Sequence, residues 1–177
     1  MHFPNKKYNI IYADPAWTFT FWSNKAQRKV SDKYDLMSEE DIYKLPVNEI
    51  ADENCILFIW VTYPNLIQGL ETIKKWGFKY KTCGFSWIKK NKKADSLFWG
   101  MGYYTRSNNE ICLLATKGKP KRISSGVHQV VIDKIREHSR KPDCVRNRIV
   151  ELCGDLPRIE LFARQKTPGW DVWGNEV

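Results

Sequence analysis

The sequence predicts a single α/β domain over residues 1–177, with a mostly parallel sheet and helices on both of its faces. Short apolar runs alternate with amphipathic segments along the chain, which is typical of this fold class. The 177 residues suit one hydrophobic core, and 42% of them are hydrophobic, which argues against disorder. The longest apolar run, residues 55–61, is too short to span a membrane.

The amino-terminal half is predicted to supply two strands and two helices. Residues 8–14 and 55–61 are predicted to be buried strands. A helix follows Met37, with Ser38 as its N-cap and acidic residues in its first turn. A second helix begins at Pro64, because proline suits the first position of a helix. The apolar positions of this second helix are predicted to form one buried face: Leu66, Ile67, Leu70, Ile73 and Trp76.

Three further strands and one helix are predicted in the carboxyl-terminal half. The strands cover residues 78–89, 110–118 and 158–164, and the helix lies between the last two of them and ends at Gly154. In parallel α/β sheets, ligands bind beyond the carboxyl ends of the strands. Asp14 and Arg164 follow such ends and are therefore candidate site residues.

The first predicted strand runs directly into Asp14, Pro15, Ala16 and Trp17. An ordinary strand-ending turn is one interpretation, because Asp and Pro both favour turns. A site for a ring-conjugated amino group, such as that of adenine, is the other. The Asp14 carboxylate and the Pro15 carbonyl would each accept an amino hydrogen, which frees the lone pair of the nitrogen. Trp17 would offer a ring face for the base, or it would be a core residue.

The net charge of +9 is concentrated in residues 89–122, where nine Lys or Arg residues stand against two acidic residues. Such a stretch is either a solvated face or a surface for a polyanion. In the second interpretation, Lys90, Lys92 and Lys93 contact nucleic-acid phosphates.

Cysteine and histidine spacing predicts neither a disulfide framework nor a metal site. The five cysteines include no CxxC pair, and the three histidines show no partner spacing for a metal or a triad. Free thiols and the lack of an apolar leader predict a cytoplasmic protein without a membrane segment.

Several segments resemble the methyltransferase-like adenine methyltransferases, the family of the catalytic subunit that writes N(6)-methyladenosine in messenger RNA. Residues 14–17 are similar to its Asp-Pro-Pro-Trp signature, with Ala16 in place of the second proline. Further similar segments follow in order over about residues 8–176: YDLMSEEDIYKLPV, LFIWVT, NNEICLLATKG, SRKPD, RIELFAR and WGNE. Together these segments are specific, whereas the short signature alone is a weak indicator.

The resemblance implies a Rossmann-like S-adenosylmethionine-dependent methyltransferase of permuted order, with the catalytic strand first and the cofactor strand near the C-terminus. It implies methyl transfer to the exocyclic amino nitrogen of adenine. DNA is favoured as substrate, because a compact single domain is similar to bacterial or phage-encoded members. RNA, the cytosine amino group and a non-catalytic nucleic-acid-binding partner subunit are the alternatives. The resemblance is also compatible with a homodimer or with a heterodimer with a related subunit.

The resemblance also assigns roles to individual residues. The residues that hold the target amino group are Asp14, Pro15 and Trp17. The residues that line the base and the methyl-transfer region are Tyr34, Glu110 and Lys141. The residues that border the cofactor are Asp14, Glu160, Phe162, Arg164, Asn175 and Glu176. The last two of these would hydrogen-bond the ribose hydroxyls of the cofactor.

Overall fold

The computed structural model describes residues 2–17, 37–102, 104–137 and 140–177, which form an α/β fold around one seven-stranded sheet. The strands are β1 (Tyr8–Ala13), β2 (Ala51–Val61), β3 (Lys79–Lys90), β4 (Asn109–Lys117), β5 (Val130–Lys134), β6 (Arg158–Leu161) and β7 (Asp171–Trp173). The described helices are α1 (Glu39–Lys44), α2 (Val47–Ile50), α3 (Leu66–Lys75) and α4 (Cys144–Cys153), and a 3₁₀ helix covers Tyr63–Asn65.

The strand order across the sheet is β5-β3-β4-β2-β1-β6-β7, and β4 runs against the direction of the other strands. β4 is antiparallel because residues 91–108 return the chain directly beside β3, without the long crossover that a parallel connection requires. The predicted α/β sheet is confirmed, but it is mixed. Five strands were predicted, and the two that were missed, β5 and β7, are short strands at the two edges.

The helices lie on both faces of the sheet, as predicted, because the side chains of the strands alternate between two cores. Ile11 of β1 belongs to the core that includes Ile42 of α1 and Ile73 of α3. Tyr12 of β1 belongs to the opposite core, which includes Ile149 of α4. β1 is therefore buried on both faces, and it is a central strand with β2 on one side and β6 on the other.

The predicted helix termini are confirmed where local chemistry decides them. The Ser38 hydroxyl accepts a hydrogen bond from the Asp41 N–H at 3.1 Å, and α1 begins at the next residue after Ser38. Gly77 and Gly154 follow α3 and α4 with φ values of +81° and +94°, which are conformations that favour glycine.

The predicted buried face of α3 is wrong in part. Ile67 is 79% exposed and Leu70 lies at the surface, whereas Gly69 and Thr72 are buried with Ile73. A Cβ added at Gly69 would lie 2.4 Å from the Val61 side chain, so the helix approaches β2 most closely at this glycine. The close approach at Gly69 rotates the two apolar residues away from the core. None of the described helices is long and apolar enough to cross a membrane.

Candidate active site

The candidate active site lies beyond the carboxyl ends of the parallel strands, near the middle of the strand order. Asp14 follows the last residue of β1, and Arg164 lies in the segment that follows β6. Glu110 is near the beginning of β4, which meets the ends of its neighbours because β4 is antiparallel. Lys141 reaches the same edge from the segment before α4. Four residues that the sequence analysis identified therefore lie at the rim where ligands bind in α/β sheets.

Asp14, Lys141, Glu110 and Lys89 form a chain of alternating charges. The Lys141 Nζ lies 2.8 Å from Asp14 Oδ2 and 3.3 Å from Glu110 Oε2. The Lys89 ammonium contacts the other carboxylate oxygen of Glu110. Only 8% of Lys141 is exposed, and the two carboxylates compensate its buried charge. Lys89 was not predicted as a site residue. Its pairing with Glu110 depends on the register of β3 and β4.

The four alternating charges are called the charge chain below, and its two carboxyl groups, those of Asp14 and Glu110, lie in different electrostatic environments. Burial alone would raise the pKa of Glu110, but Lys141 and Lys89 together hold it below its ordinary value. Burial raises the pKa of Asp14, and the single contact with Lys141 offsets only part of this effect. Burial would lower the pKa of Lys141, but its two carboxylate neighbours raise it. Lys141 is therefore a stable cation, and Asp14 is the carboxylate whose charge is more sensitive to pH.

Trp17 fixes the turn that follows β1. Its backbone N–H donates to the Pro15 carbonyl at 2.8 Å, and its indole Nε1 donates to the Trp60 carbonyl at 2.8 Å. Only 5% of Trp17 is exposed, which favours the core interpretation, and the stacking of a base on its ring stays a prediction. A carbonyl oxygen has two lone pairs, so Pro15 retains the capacity to accept a second hydrogen bond.

Two further tryptophans support the lysines of the charge chain. The Lys141 Nζ lies 5.7 Å from the ring centre of Trp60, and the Lys89 Nζ lies 5.1 Å from that of Trp87. The indole of Trp60 is fixed because its Nε1 donates to the Tyr12 hydroxyl at 2.6 Å. Both contacts are within the range of cation–π attraction. The sequence analysis missed these tryptophans because their position in buried strands predicts only core packing.

A second group of predicted residues meets in the segments that follow β6 and β7. The Arg164 Nε lies 3.7 Å from Glu176 Oε1, and the charge of Arg164 favours the ionised form of Asp14. Asn175 is exposed beside Glu176. The residues that the resemblance assigned to a cofactor thus lie at the same rim as the charge chain.

A close backbone contact holds these two segments together. A Cβ added at Gly174 would lie 2.4 Å from the Ala163 carbonyl oxygen, so a glycine is required for this approach. Phe162 adopts a φ of +61°, and its ring packs edge-on against Trp173 at a centroid distance of 5.5 Å. The packing fixes the short strand β7 and the residues that follow it.

Glu160 is placed differently from the other predicted cofactor residues. Its two carboxylate oxygens accept hydrogen bonds from Arg146 Nε and Nη2 at 2.7 and 2.6 Å, and both side chains are largely buried. The structure therefore gives Glu160 a structural partner from α4. Arg146 was missed because an arginine in an amphipathic helix is more often solvent-exposed.

Three further observations concern the surroundings of the site. Tyr34, which was predicted to line the base, lies outside the described residues. Within the part of the chain that the structure describes, no group of three or more His, Cys, Asp or Glu residues could hold a metal ion. A cavity of 610 Å³ lies between residues 2–7 and residues 45–50, beside Trp173, and the charge chain does not line it.

The basic stretch that the sequence analysis treated as one surface is divided between the two opposite ends of the strands. Lys90, Lys92 and Lys93 lie at the edge of the candidate active site, and Lys90 pairs there with Asp95. The Lys117 Nζ lies 3.3 Å from the Ala51 carbonyl oxygen, at the beginning of β2. The cations after β4 therefore lie at the opposite edge, because β4 carries the chain away from the site.

Replacing Lys89 with Met is expected to raise the pKa of Glu110. The burial of Glu110 would remain while one of its two neighbouring cations is removed, so its carboxyl group would take up a proton at a higher pH. The measurement is a carbon NMR titration of the Glu110 carboxyl group in the wild type and in the variant.

The matched control is Lys90→Met, which removes a neighbouring cation that pairs with the exposed Asp95. This control is expected to leave the titration of Glu110 unchanged. Superimposable Glu110 titration curves for Lys89→Met and the wild type would contradict the charge chain.

The fold and the charged rim are those of an α/β protein in which ligands are expected beyond the carboxyl ends of the strands. The MT-A70 family model matches residues 8–176. The chain belongs to the MT-A70 family, and the resemblance inferred from its sequence is confirmed.

The relatives extend over nearly the whole chain. A type II methyltransferase, M.MunI, from a Mycoplasma species is 34% identical over 192 residues, which cover 98% of this chain and 79% of that protein. The human N(6)-adenosine-methyltransferase catalytic subunit METTL3 is 26% identical over 97% of this chain and 28% of its own length. A Drosophila melanogaster N(6)-adenosine-methyltransferase MT-A70-like protein is 27% identical over similar shares of 97% and 27%. The family and these relatives identify the chain as a methyltransferase.

Proposed function

We propose that this chain transfers the methyl group of S-adenosylmethionine to the exocyclic amino nitrogen of adenine in DNA. The observation that carries the proposal is the contact of Asp14 with the buried Lys141 and, through it, with Glu110 at the strand-end rim. A carboxylate that is ionised and fixed in direction is the group that an amino substrate requires. Since Lys141 donates to Oδ2, the proposal assigns Oδ1 as the oxygen that accepts an amino hydrogen.

The substrate nitrogen is a weak nucleophile because its lone pair is delocalised into the ring. Asp14 Oδ1 and the Pro15 carbonyl would each accept one amino hydrogen, which favours a tetrahedral nitrogen with a localised lone pair. Positive charge develops on this nitrogen during the reaction, and the neighbouring carboxylates stabilise that charge. Lys141 orients Asp14 and favours its ionised form. No strong base is required, because the extra proton leaves the nitrogen after the methyl group has arrived.

The residues beyond β6 and β7 suit S-adenosylmethionine, which supplies an electrophilic methyl group on a sulfonium centre. Glu176 offers an exposed carboxylate that can accept hydrogen bonds from ribose hydroxyls, and Asn175 offers an exposed amide. Arg164 lies between Glu176 and the charge chain, where its guanidinium can bind a carboxylate. In this proposal the strand order is permuted: the catalytic residues follow β1, the first strand, and the cofactor residues follow β6 and β7, near the C-terminus.

Replacing Asn175 and Glu176 together with Ala is expected to weaken S-adenosylmethionine binding by about tenfold or more. Hydrogen bonds to a charged group contribute about 1.5–3 kcal/mol each, and 1.4 kcal/mol corresponds to about tenfold in affinity. Isothermal titration calorimetry would measure the affinity. Glu151→Ala, which removes an exposed carboxylate on α4, is the control and should bind like the wild type. Unchanged affinity in the double variant would remove both residues from the cofactor site.

DNA is favoured over RNA because the chain is 34% identical to a type II methyltransferase and 26% identical to the human N(6)-adenosine-methyltransferase subunit. The deciding experiment incubates the protein with methyl-labelled S-adenosylmethionine and with separate DNA and RNA pools. Chromatography of the digested product is expected to find the label in N6-methyldeoxyadenosine. Label in RNA or in cytosine would contradict the DNA-adenine proposal. Cofactor binding without transfer to any pool would identify a non-catalytic partner subunit.

A further inference from the structure

Residues 91–108 form the β3–β4 hairpin, whose described part is held in shape by close backbone contacts. Gly100 pairs antiparallel with Ser107, and its N–H donates to the Ser107 carbonyl at 2.7 Å. A Cβ added at Gly102 would lie 1.9 Å from the Thr105 carbonyl oxygen, so the two arms can approach each other only with glycine at this position. The hairpin therefore has a defined conformation without a hydrophobic core of its own.

The β3–β4 hairpin exposes an unusual amount of apolar side chain. Trp99 is 64% exposed, Met101 is 88% exposed and Tyr104 is 98% exposed. Single exposed apolar residues are normal, but three large ones on one short segment indicate an interaction surface. The Arg106 Nη1 lies 3.5 Å from the Met101 sulfur, so a cation is directly beside this apolar surface.

The charges of the β3–β4 hairpin identify the chemical class of the partner. Lys92 and Lys93 are exposed on one arm and Arg106 on the other, while the acidic residue Asp95 is neutralised by Lys90. Cations that alternate with aromatic and apolar side chains suit a single strand of nucleic acid, which offers both phosphates and base faces. A second copy of this hairpin would carry the same positive charge and would repel it.

The position of the β3–β4 hairpin relates this surface to the candidate active site. The hairpin extends from the end of β3 and the beginning of β4, next to Lys89 and Glu110 of the charge chain. An adenine that reacts at its amino nitrogen must leave a duplex or come from a single strand, so its neighbours become at least partly unpaired. A stacking surface beside the site would stabilise those neighbouring bases.

We infer that the β3–β4 hairpin binds unpaired nucleotides next to the target adenine, with Trp99 and Met101 stacked on base faces and Lys92 and Lys93 on phosphates. This inference rests on the proposed function, because it requires a nucleic-acid substrate. It extends that function by assigning base contacts to two residues outside the charge chain. Such stacking tolerates any sequence, because every base has a flat face.

The test separates base contacts from phosphate contacts with two probes. One is a fluorescein-labelled single strand of thymidines with a central adenine, and the other has abasic sites around the same adenine. The Trp99→Ala/Met101→Ala variant is expected to bind the first probe about five- to a hundredfold more weakly than the wild type does. Its affinity for the abasic probe and its salt dependence should match those of the wild type. Fluorescence anisotropy titrations measure both quantities.

The lysine variants provide the complementary result. Lys90→Gln/Lys92→Gln/Lys93→Gln is expected to bind both probes more weakly and to flatten the slope of log affinity against log salt. The slope should change by about 0.7 for each phosphate that the variant no longer neutralises. The matched control carries Lys119→Gln, Lys121→Gln and Ile123→Ala at the opposite edge, where Ile123 is 72% exposed. These changes also remove cations and an exposed apolar side chain, but they should leave both affinities close to wild type.

Each outcome of the test has a defined meaning. Equal loss on the abasic probe and on the ordinary probe would overturn base stacking by Trp99 and Met101. Wild-type affinity of Trp99→Ala/Met101→Ala for the ordinary probe, together with a change from dimer to monomer in sedimentation, would show that the hairpin binds a second copy instead. Failure of the wild type to bind or methylate any nucleic acid would refute the proposed function itself, and it is distinguished by the absence of a wild-type signal.

Discussion

The Asp14→Ala variant is expected to keep its fold and to lose methyl transfer by about a hundred- to a thousandfold. Asp14 lies beyond the end of β1 and its side chain packs in neither hydrophobic core, so the truncation removes an acceptor and not a core contact. The remaining Glu110 still compensates the charge of Lys141. The measurement is the transfer of labelled methyl groups at saturating S-adenosylmethionine, with circular dichroism as the test of folding.

The control for this variant is Asp155→Ala. Asp155 is an exposed aspartate that pairs with Arg158 at 2.6 Å, so its removal also breaks an ion pair but does so outside the charge chain. We expect wild-type activity from it. Wild-type activity from Asp14→Ala would instead show that the residues after β1 form an ordinary turn without a catalytic role.

The Arg146→Met variant is expected to lower the free energy of unfolding by about 3 to 5 kcal/mol. Removing Arg146 leaves the Glu160 carboxylate buried without its two hydrogen bonds, and an uncompensated buried charge is strongly destabilising. Chemical denaturation followed by fluorescence would measure the change. The control Lys75→Met breaks an exposed pair with Glu71 at 3.9 Å and should cost no more than about 1 kcal/mol.

A second substitution separates the structural role of Glu160 from its predicted cofactor role. The variant Arg146→Met/Glu160→Leu is expected to regain most of the stability that Arg146→Met forfeits, because an apolar pair of similar volume can replace a buried ion pair. Unchanged cofactor affinity in this variant would assign Glu160 to the fold alone. A loss of affinity despite restored stability would support the predicted contact with the cofactor. Equal stability of Arg146→Met and the wild type would contradict the importance of the pair.

Local sequence patterns predicted most of the secondary structure. Five apolar runs are strands, and the Ser38 cap and the glycines after α3 and α4 mark helix termini, because these features act over a few residues. The same reasoning failed where distant contacts decide. Ile67 and Leu70 have the spacing of a buried face, but the close approach of Gly69 to Val61 turns them outward.

The residues of the candidate site could be named from the sequence through its family resemblance, but their mutual contacts could not. Asp14 and Lys141 are separated by 127 positions in the chain and meet at 2.8 Å. Lys89 carries no signal that distinguishes it from the other lysines of the basic stretch. Its pairing with Glu110 results from the antiparallel register of β3 and β4.

The chain order of apolar, polar and glycine residues was sufficient to predict an α/β protein with a carboxylate directly after its first strand, because strand formation and turn chemistry are local. Only the tertiary structure decided the direction of β4. That direction places Glu110 beside Asp14 and Lys141 in the candidate site and carries the lysines after β4 to the opposite ends of the strands. The tertiary structure also decided that Glu160 pairs with Arg146. The pairing of buried charges depends on which elements pack together and not on their separation in the sequence.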